Sequence, residues 1–208
     1  MQHEPVAKLL SSFIAPPLRL RGFSRRGQSF TRWDRKNCQV INFQVWKERS
    51  TDSTTVFTVN LGVFSGALFW FETGLMKPKK SPSVEICHWR TRLGNLLPDR
   101  QDKWWSIEQD SEIPSISEEI LSAMEAHALP VLGHLDRDEA LRELWLTGSS
   151  PGLNDFERLK HLSALLLMIG PQSELERVLQ DLAGQATGTP WEGSAHIHIS
   201  KIRELRKA

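Results

Sequence analysis

Three short patterns contain residue types that perform chemistry in proteins, and the first is a serine between two glycines. Gly148, Ser150 and Gly152 fit the G-x-S-x-G turn that presents the nucleophile of α/β-hydrolases. That turn must follow a strand, whereas a helical pattern precedes it here. Its oxyanion hole also needs the backbone N–H after the serine, and Pro151 has none. The pattern therefore predicts a loop.

The other two patterns pair histidine with cysteine or with a second histidine. Cys87 and His88 are neighbours in a predicted strand, so their side chains point to opposite faces and cannot share one ion. His196 and His198 would share one side of an extended segment, but the sequence marks no third ligand. We predict no metal, no cofactor and no catalytic residue, and an enzyme is the less favoured class.

The elements that would position a binding site begin with a hairpin over residues 38–64. Two alternating apolar runs flank a polar connector there, which predicts two long antiparallel strands. Because side chains alternate along a strand, one face would be apolar and buried. The predicted members of that face are Ile41, Phe43, Val45, Phe57, Val59, Leu61 and Val63. A slip of one residue would exchange the two faces, so this set should fix the pairing.

The opposite, polar face of the predicted sheet is a candidate binding surface. Asparagine is disfavoured in the middle of strands, yet two lie there together with a glutamine. The candidate binding residues are Arg32, Asn42, Gln44, Asn60, His88 and Arg90. The hypothesis for this face is an enzyme or a binding protein that acts on an anionic small molecule. An ordinary solvated sheet face, or amides covered by helices, is the alternative.

A basic stretch over residues 18–36 offers a second candidate surface. It contains seven basic side chains and one acidic one, Asp34, interleaved with aromatic residues. Arginines bind phosphates and aromatic rings stack on bases, so nucleic-acid binding is one hypothesis. Its candidate residues are Arg19, Arg21, Arg25 and Arg26. Basic residues also suit a solvated edge strand, which is the alternative.

The periodicity along the chain predicts an α+β fold. We expect an N-terminal helix that ends at Pro16, a four- to five-stranded antiparallel meander, and four or five C-terminal helices, one of which Pro130 should kink or end. The sheet region would span residues 1–110 and the helical region residues 111–208, packed as one domain or as a closely associated subdomain. Segment 190–208 is compatible with a strand or a helix.

Several blocks in the N-terminal half resemble a bacterial family of domains of unknown function, the 4304 type. They are GFSRRGQSF at residues 22–30, QVINFQ at 39–44, FTVNLGV at 57–63 and EICHWRTRL at 85–93. The resemblance covers roughly residues 5–100. It implies an α+β fold and a soluble bacterial protein, and it supplies no catalytic residue.

The function that these patterns favour is a non-enzymatic protein-interaction module with an unknown protein partner. Charge is segregated along the chain, since residues 1–100 hold 16 basic and 7 acidic side chains. A basic half suits an anionic partner, and nucleic acid is the less favoured one. Two cysteines and no long apolar run suggest a cytoplasmic location and no membrane partner.

Overall fold

The computed structural model describes residues 4–207 and has the predicted α+β fold. Its strands are β1 (Ser24–Arg26), β2 (Ser29–Asp34), β3 (Asn37–Val45), β4 (Thr55–Phe64), β5 (Trp89–Arg92) and β6 (Trp105–Ile107). Its helices are α1 (Glu4–Leu9), α2 (Ala15–Leu20), α3 (Gly66–Thr73), α4 (Ile113–Ala123), α5 (Leu129–Leu135), α6 (Asp138–Leu146), α7 (Asp155–Ile169), α8 (Gln172–Ala186) and α9 (Glu192–Leu205). The C-terminal segment that was compatible with a strand or a helix is thus helical over Glu192–Leu205.

The chain forms two compact units. The first contains the chain up to Phe64 together with Lys79–Asp136, and the second contains Ser65–Pro78 together with the chain from Arg137 onward. The predicted boundary at residue 110, between a sheet region and a helical region, stays a prediction. No helix within residues 4–207 is long and apolar enough to cross a membrane.

In the first unit the strands pair antiparallel in the order β1-β2-β3-β4-β5, and β6 pairs with β4 as well. The sheet therefore has six strands, one more than the upper limit predicted. Two of them, β1 and β6, have only three residues each. The strand that was predicted to contain Cys87 and His88 is shorter than expected, because β5 begins only at Trp89. A 3₁₀ turn over Val84–Ile86 replaces its first part.

The apolar face of the sheet is the core of the first unit, as predicted. Ile41 lies opposite Leu61, and Phe43 lies opposite Val59. A line of aromatic rings crosses the sheet on this face: the Phe30–Phe43, Phe43–Phe57 and Phe57–Trp105 centroids are 6.0, 6.2 and 6.0 Å apart. Each aromatic contact adds to the stabilisation from burial alone.

Two buried amides tie the sheet to the end of α5. The side chain of Asn37 donates to the backbone oxygen of Asp136 at 2.7 Å, and Gln39 donates to the Asp136 carboxylate at 2.9 Å. These polar groups would be costly in the interior without partners. The contacts therefore fix where α5 ends against the start of β3.

Two helices continue through prolines that were expected to end or kink them. The chain is helical from Glu4 to Leu20, with a π turn over Leu10–Ile14 before Pro16 and Pro17. A second π turn, Met124–Ala128, precedes α5 and Pro130. Each proline lies in the first turn of the following α segment, where its missing N–H is tolerated. The predicted end at Pro16 is therefore wrong.

In the second unit α7 contacts α3, α6, α8 and α9. Most of its residues from Phe156 to Leu166 are buried, which explains its unusually apolar sequence. Ser65 caps α3 by accepting from the backbone N–H of Leu68 at 3.1 Å, and its hydroxyl donates to Asp138 at 2.6 Å. A side-chain cap of this kind typically adds about 1 kcal/mol.

Two glycines in the first unit provide a matched test of close backbone packing. A Cβ on Gly94 would lie 2.3 Å from the Gln101 backbone oxygen and 2.5 Å from the Lys103 backbone nitrogen. We expect Gly94→Ala to lower the free energy of unfolding by more than about 2 kcal/mol, because backbone atoms cannot move aside easily. Urea denaturation measures this change.

The control is Gly133→Ala in α5, where a Cβ would meet no atom within 4 Å. Alanine has the higher helix propensity, so this change should leave stability unchanged or raise it by up to about 1 kcal/mol. Equal effects of the two substitutions would contradict the packing described around Gly94.

Candidate binding surface on the sheet

The register of the central strands places a row of polar side chains across four strands. Asn42 lies opposite Asn60 in the β3–β4 pair, Ser29 of β2 lies opposite Asn42, and Arg92 of β5 lies opposite Asn60. We call Ser29, Asn42, Asn60 and Arg92 the amide row. It lies on the face opposite the apolar core, as the alternation of the hairpin predicts.

Hydrogen bonds between the side chains orient the amide row. The Asn42 amide donates to the Ser29 hydroxyl at 2.9 Å. The Asn60 amide donates to the Gln44 side-chain oxygen at 2.9 Å and to that of Asn42 at 3.4 Å. Asn42 and Asn60 are partly exposed and Gln44 is exposed. The row therefore presents oriented polar groups to solvent.

A cluster of tryptophan and arginine side chains adjoins the amide row. The ring centroids of Trp46 and Trp104 are 4.6 Å apart. The guanidinium carbon of Arg49 lies 4.1 Å from the Trp46 centroid, and that of Arg92 lies 4.9 Å from the Trp104 centroid. Asp102 pairs with Arg92 and accepts a hydrogen bond from the Trp104 indole at 3.0 Å. We call these five residues the Trp–Arg cluster.

The structure brings together three of the six predicted binding residues, namely Asn42, Gln44 and Asn60. Arg90 is on the same face but lies opposite Gly62, one row further along, and its guanidinium donates to the Glu85 backbone oxygen. His88 is buried, with its ring 5.2 Å from that of Phe64. It therefore lies at the far end of the face from Asn60.

The prediction that Arg32 shares this face is wrong. Arg32 lies opposite Gln39, so it alternates with Thr31 and points to the other side of the sheet. Its guanidinium donates to the Arg21 backbone oxygen at 3.1 Å and lies 4.9 Å from the Phe23 ring centroid. Arg32 thus holds the end of α2 against the sheet.

The four arginines proposed for nucleic acid are divided between a helix and a strand. Arg19 is in α2 and Arg21 follows it, while Arg25 and Arg26 are neighbours in β1 and so point to opposite faces. Arg21 is bound to Glu125 and, at 3.1 Å, to the Pro17 backbone oxygen. Arg25 donates to the Gly27 backbone oxygen at 2.9 Å. This arrangement does not favour one continuous phosphate-binding surface.

Both cysteines lie at the covered end of the polar face. Cys38 is opposite Phe64, and Cys87 packs against Gly62, where a Cβ would be only 2.7 Å from its sulfur. Burial raises the pKa of Cys38 to about 12 and raises the pKa of Cys87 further. Both thiols are therefore protonated at neutral pH, and a thiol is a poor nucleophile and a poor metal ligand.

Sequence reasoning missed Ser29, Arg92, Asp102 and Trp104. Arg92 carried one usable signal, because it is two residues from Arg90 and must share its face in any strand. Asp102 and Trp104 precede β6, and their position depends on the pairing of β6 with β4 at the end where Thr55 lies opposite Ile107. Local periodicity does not specify that long-range pairing.

The residues that form this surface lie in the part of the chain that matches a known protein family. The model of a family described as a domain of unknown function, DUF4304, matches residues 14–134. The chain belongs to this family. The DUF4304 match includes all six strands, the amide row and the Trp–Arg cluster. No curated protein and no solved structure matches the chain significantly.

The histidines considered as metal ligands are in α9 of the second unit and point in different directions. His196 is exposed, whereas His198 is buried with its Nε2 2.8 Å from the Ser163 hydroxyl. The pKa of His198 is lowered to about 4, mainly by burial and also by the nearby Lys160, His161 and Lys201, with Glu72 opposing them. His198 is therefore neutral at pH 7.

His198 should make stability depend on pH. Its pKa is about 4 in the folded chain against 6.5 ordinarily, so between these values only the unfolded chain takes up the proton. The free energy of unfolding should fall by up to about 3 kcal/mol as the pH drops from 6.5 to 4. Urea denaturation across this range measures it.

Two histidine variants isolate this contribution. His198→Gln should remove that part of the slope, because glutamine does not titrate. His196→Gln on the same helix should retain it, because His196 is exposed. If both variants and the unsubstituted chain show one common slope, the buried neutral state of His198 is disproved.

Proposed function

We propose that this chain is a non-enzymatic protein-interaction module of the bacterial cytoplasm, and that it binds an acidic segment of a partner protein on the polar sheet face. The observation that carries the proposal is the Trp–Arg cluster beside the amide row. Membership of DUF4304 is compatible with any function. The function is therefore inferred from the side chains of the polar sheet face.

Tryptophan and arginine dominate the residues that contribute most to protein–protein binding. Trp46 and Trp104 are partly exposed, so each retains surface that a partner would cover. Arg49 and Arg92 lie against these rings, and Asp102 holds both Arg92 and Trp104. Side chains that are already fixed lose little conformational entropy on binding, which favours affinity.

The amide row, together with the adjoining Gln44, supports specificity. Asn42, Gln44 and Asn60 provide both donors and acceptors at fixed spacing across β3 and β4. A correct partner would satisfy these groups, whereas a wrong one would leave them desolvated and unpaired, at about 1–3 kcal/mol for each group. Polar groups of this kind discriminate between partners more than they add affinity.

Charge favours an acidic partner. The polar face carries three arginines, Arg49, Arg90 and Arg92, and Arg92 is bound to the Asp102 carboxylate. Arginine binds carboxylates through two parallel hydrogen bonds, so acidic side chains fit this surface. Complementary charge also speeds association at low salt.

A nucleic acid is less well suited to the same surface. Bases bind by stacking on aromatic faces, and Arg49 and Arg92 already lie over the Trp46 and Trp104 rings. The arginines of the basic stretch are divided between α2 and β1. A partner protein needs no bare ring face, because guanidinium and indole together make a suitable contact surface.

The proposal predicts that a partner depends on Trp104. Affinity capture from a bacterial lysate, with quantitative proteomics, should enrich a protein on the unsubstituted chain and lose it on Trp104→Ala and on Arg92→Glu. With the purified partner, calorimetry should show a loss of affinity of about thirtyfold for Trp104→Ala, the size typical of a central tryptophan.

The control is Trp191→Ala, which removes a tryptophan of the second unit that is 46% exposed in the structure. It should leave partner binding unchanged. The outcome that rejects the proposal is a partner insensitive to Trp104 and Arg92. Binding to DNA or RNA that is lost on Arg25→Glu with Arg26→Glu would instead support the nucleic-acid hypothesis.

A further inference from the structure

The loop that follows α3 in the second unit exposes three large apolar side chains. Trp70 near the end of the helix is 42% exposed, and Leu75 and Met76 in the loop are 52% and 63% exposed. Burying such side chains away from water is favourable, so an exposed group of them usually marks a contact surface. They are near one another in the chain and belong to one unit.

Local hydrogen bonds fix the direction in which this loop leaves the helix. Gly74 adopts the left-handed conformation, with φ at 73°, and its N–H donates to the Trp70 backbone oxygen at 2.7 Å. The Thr73 hydroxyl donates to the Phe69 backbone oxygen at 2.7 Å and accepts from the Leu75 N–H at 3.1 Å. The helix end is thus capped, and Leu75 and Met76 are held on its exposed side.

The helix itself is anchored firmly. Leu68 and Phe71 are buried, and the ammonium group of Lys201 lies 4.5 Å from the Phe71 ring centroid. The same ammonium group donates to the Phe71 backbone oxygen. The exposed apolar side chains are therefore not the inner face of a loosely packed helix, and α3 carries the loop as a rigid support.

Basic residues follow the apolar tip directly. The sequence from Thr73 to Val84 contains Lys77, Lys79 and Lys80 and no acidic residue. Pro78 and Pro82 disfavour helical conformations at Lys77 and Ser81, the residues that precede them. The segment therefore combines an exposed apolar tip with three positive charges in one short stretch of chain.

We propose that Trp70 at the end of α3 and the loop that follows the helix, residues 74–80, dock the protein reversibly on the surface of an anionic lipid bilayer. Leu75 and Met76 would enter the boundary between headgroups and acyl chains, and Trp70 would lie at headgroup level, which is where tryptophan is enriched. Lys77, Lys79 and Lys80 would lie against anionic headgroups. Neither the apolar side chains nor the lysines suffice alone, and stable docking requires both.

The combination of signals favours a lipid surface over other anionic partners. A nucleic acid would attract the lysines but would give Leu75 and Met76 nothing to bury against. Lysine is a compact point charge suited to a diffuse layer of headgroups, whereas arginine is favoured for paired carboxylate contacts. The cytoplasmic leaflet is the anionic one, so docking there is compatible with a cytoplasmic protein.

This proposal departs from the expectation of no membrane partner, which considered spanning segments only. It is independent of the proposed partner on the polar sheet face, because the two proposals have no residue in common. Failure of one proposal therefore leaves the other standing.

The test is sedimentation of the full chain with two sets of vesicles. One set contains phosphatidylcholine alone and the other a mixture with phosphatidylserine. We expect binding to the mixed vesicles only, weakened by salt, with partitioning reduced about tenfold or more by Lys77→Glu with Lys79→Glu and Lys80→Glu. Leu75→Ser with Met76→Ser should cause a comparable loss, and both variants should keep the thermal midpoint because the substituted residues are exposed.

Two controls are matched in chemistry and exposure. Ile197→Ser removes an apolar side chain that is 75% exposed on α9, and Lys207→Glu reverses an exposed charge near the C-terminus. Neither should change vesicle binding. Absence of binding to the mixed vesicles overturns the proposal. Vesicle binding that survives either loop variant also overturns it. A loss caused by the lysine changes alone would show that the contact is purely electrostatic.

Discussion

The pairing of β3 with β4 is the constraint on which the first unit depends. Ile41, Phe43 and Val45 lie on one face with Phe57, Val59 and Leu61 because every second residue is apolar from Ile41 to Val45 and from Phe57 to Val63. A slip of one residue would place Asn42 and Asn60 in the core without partners, at a cost of several kcal/mol. The amide row is therefore a consequence of core packing, because the same register that buries the apolar set brings the amides together.

The sequence was sufficient to predict this hairpin because strand alternation is a local property. It was also sufficient to place Asn42, Gln44 and Asn60 on one face. It could not place Arg92 and Trp104 beside them, since that contact requires β5 and β6 to pair with opposite ends of β4. Such pairings join residues that are 26 to 52 positions apart, and periodicity contains no information about them.

The misplacement of Arg32 has a different cause. The turn between β2 and β3 has only two residues, Arg35 and Lys36, and Arg35 has a φ of 51°. Asp34 is therefore opposite Asn37, and counting back from this pair puts Arg32 opposite Gln39. The length of the turn decides which face of β2 meets the amide row, and a change of one residue in the turn would reverse the result.

The prolines at the helix ends show a further limit of local rules. Pro16, Pro17 and Pro130 were expected to end or kink helices, and each instead lies in the first turn of a new α segment after a π turn. The wider turn contains one residue more than an α turn would. This extra residue lets the chain pass a proline without breaking the helical path.

The two π turns also have a consequence for how the chain tolerates insertions and deletions. One residue rotates an α-helix by about 100°, so a change in length normally turns every later side chain away from the core. A π turn absorbs one extra residue while later side chains keep their orientation. Leu9 and Leu18 are buried on either side of the first π turn, as are Ile120 and Leu132 on either side of the second. Each helical segment therefore consists of two α-helical stretches with buried side chains, joined by a π turn that contains one extra residue.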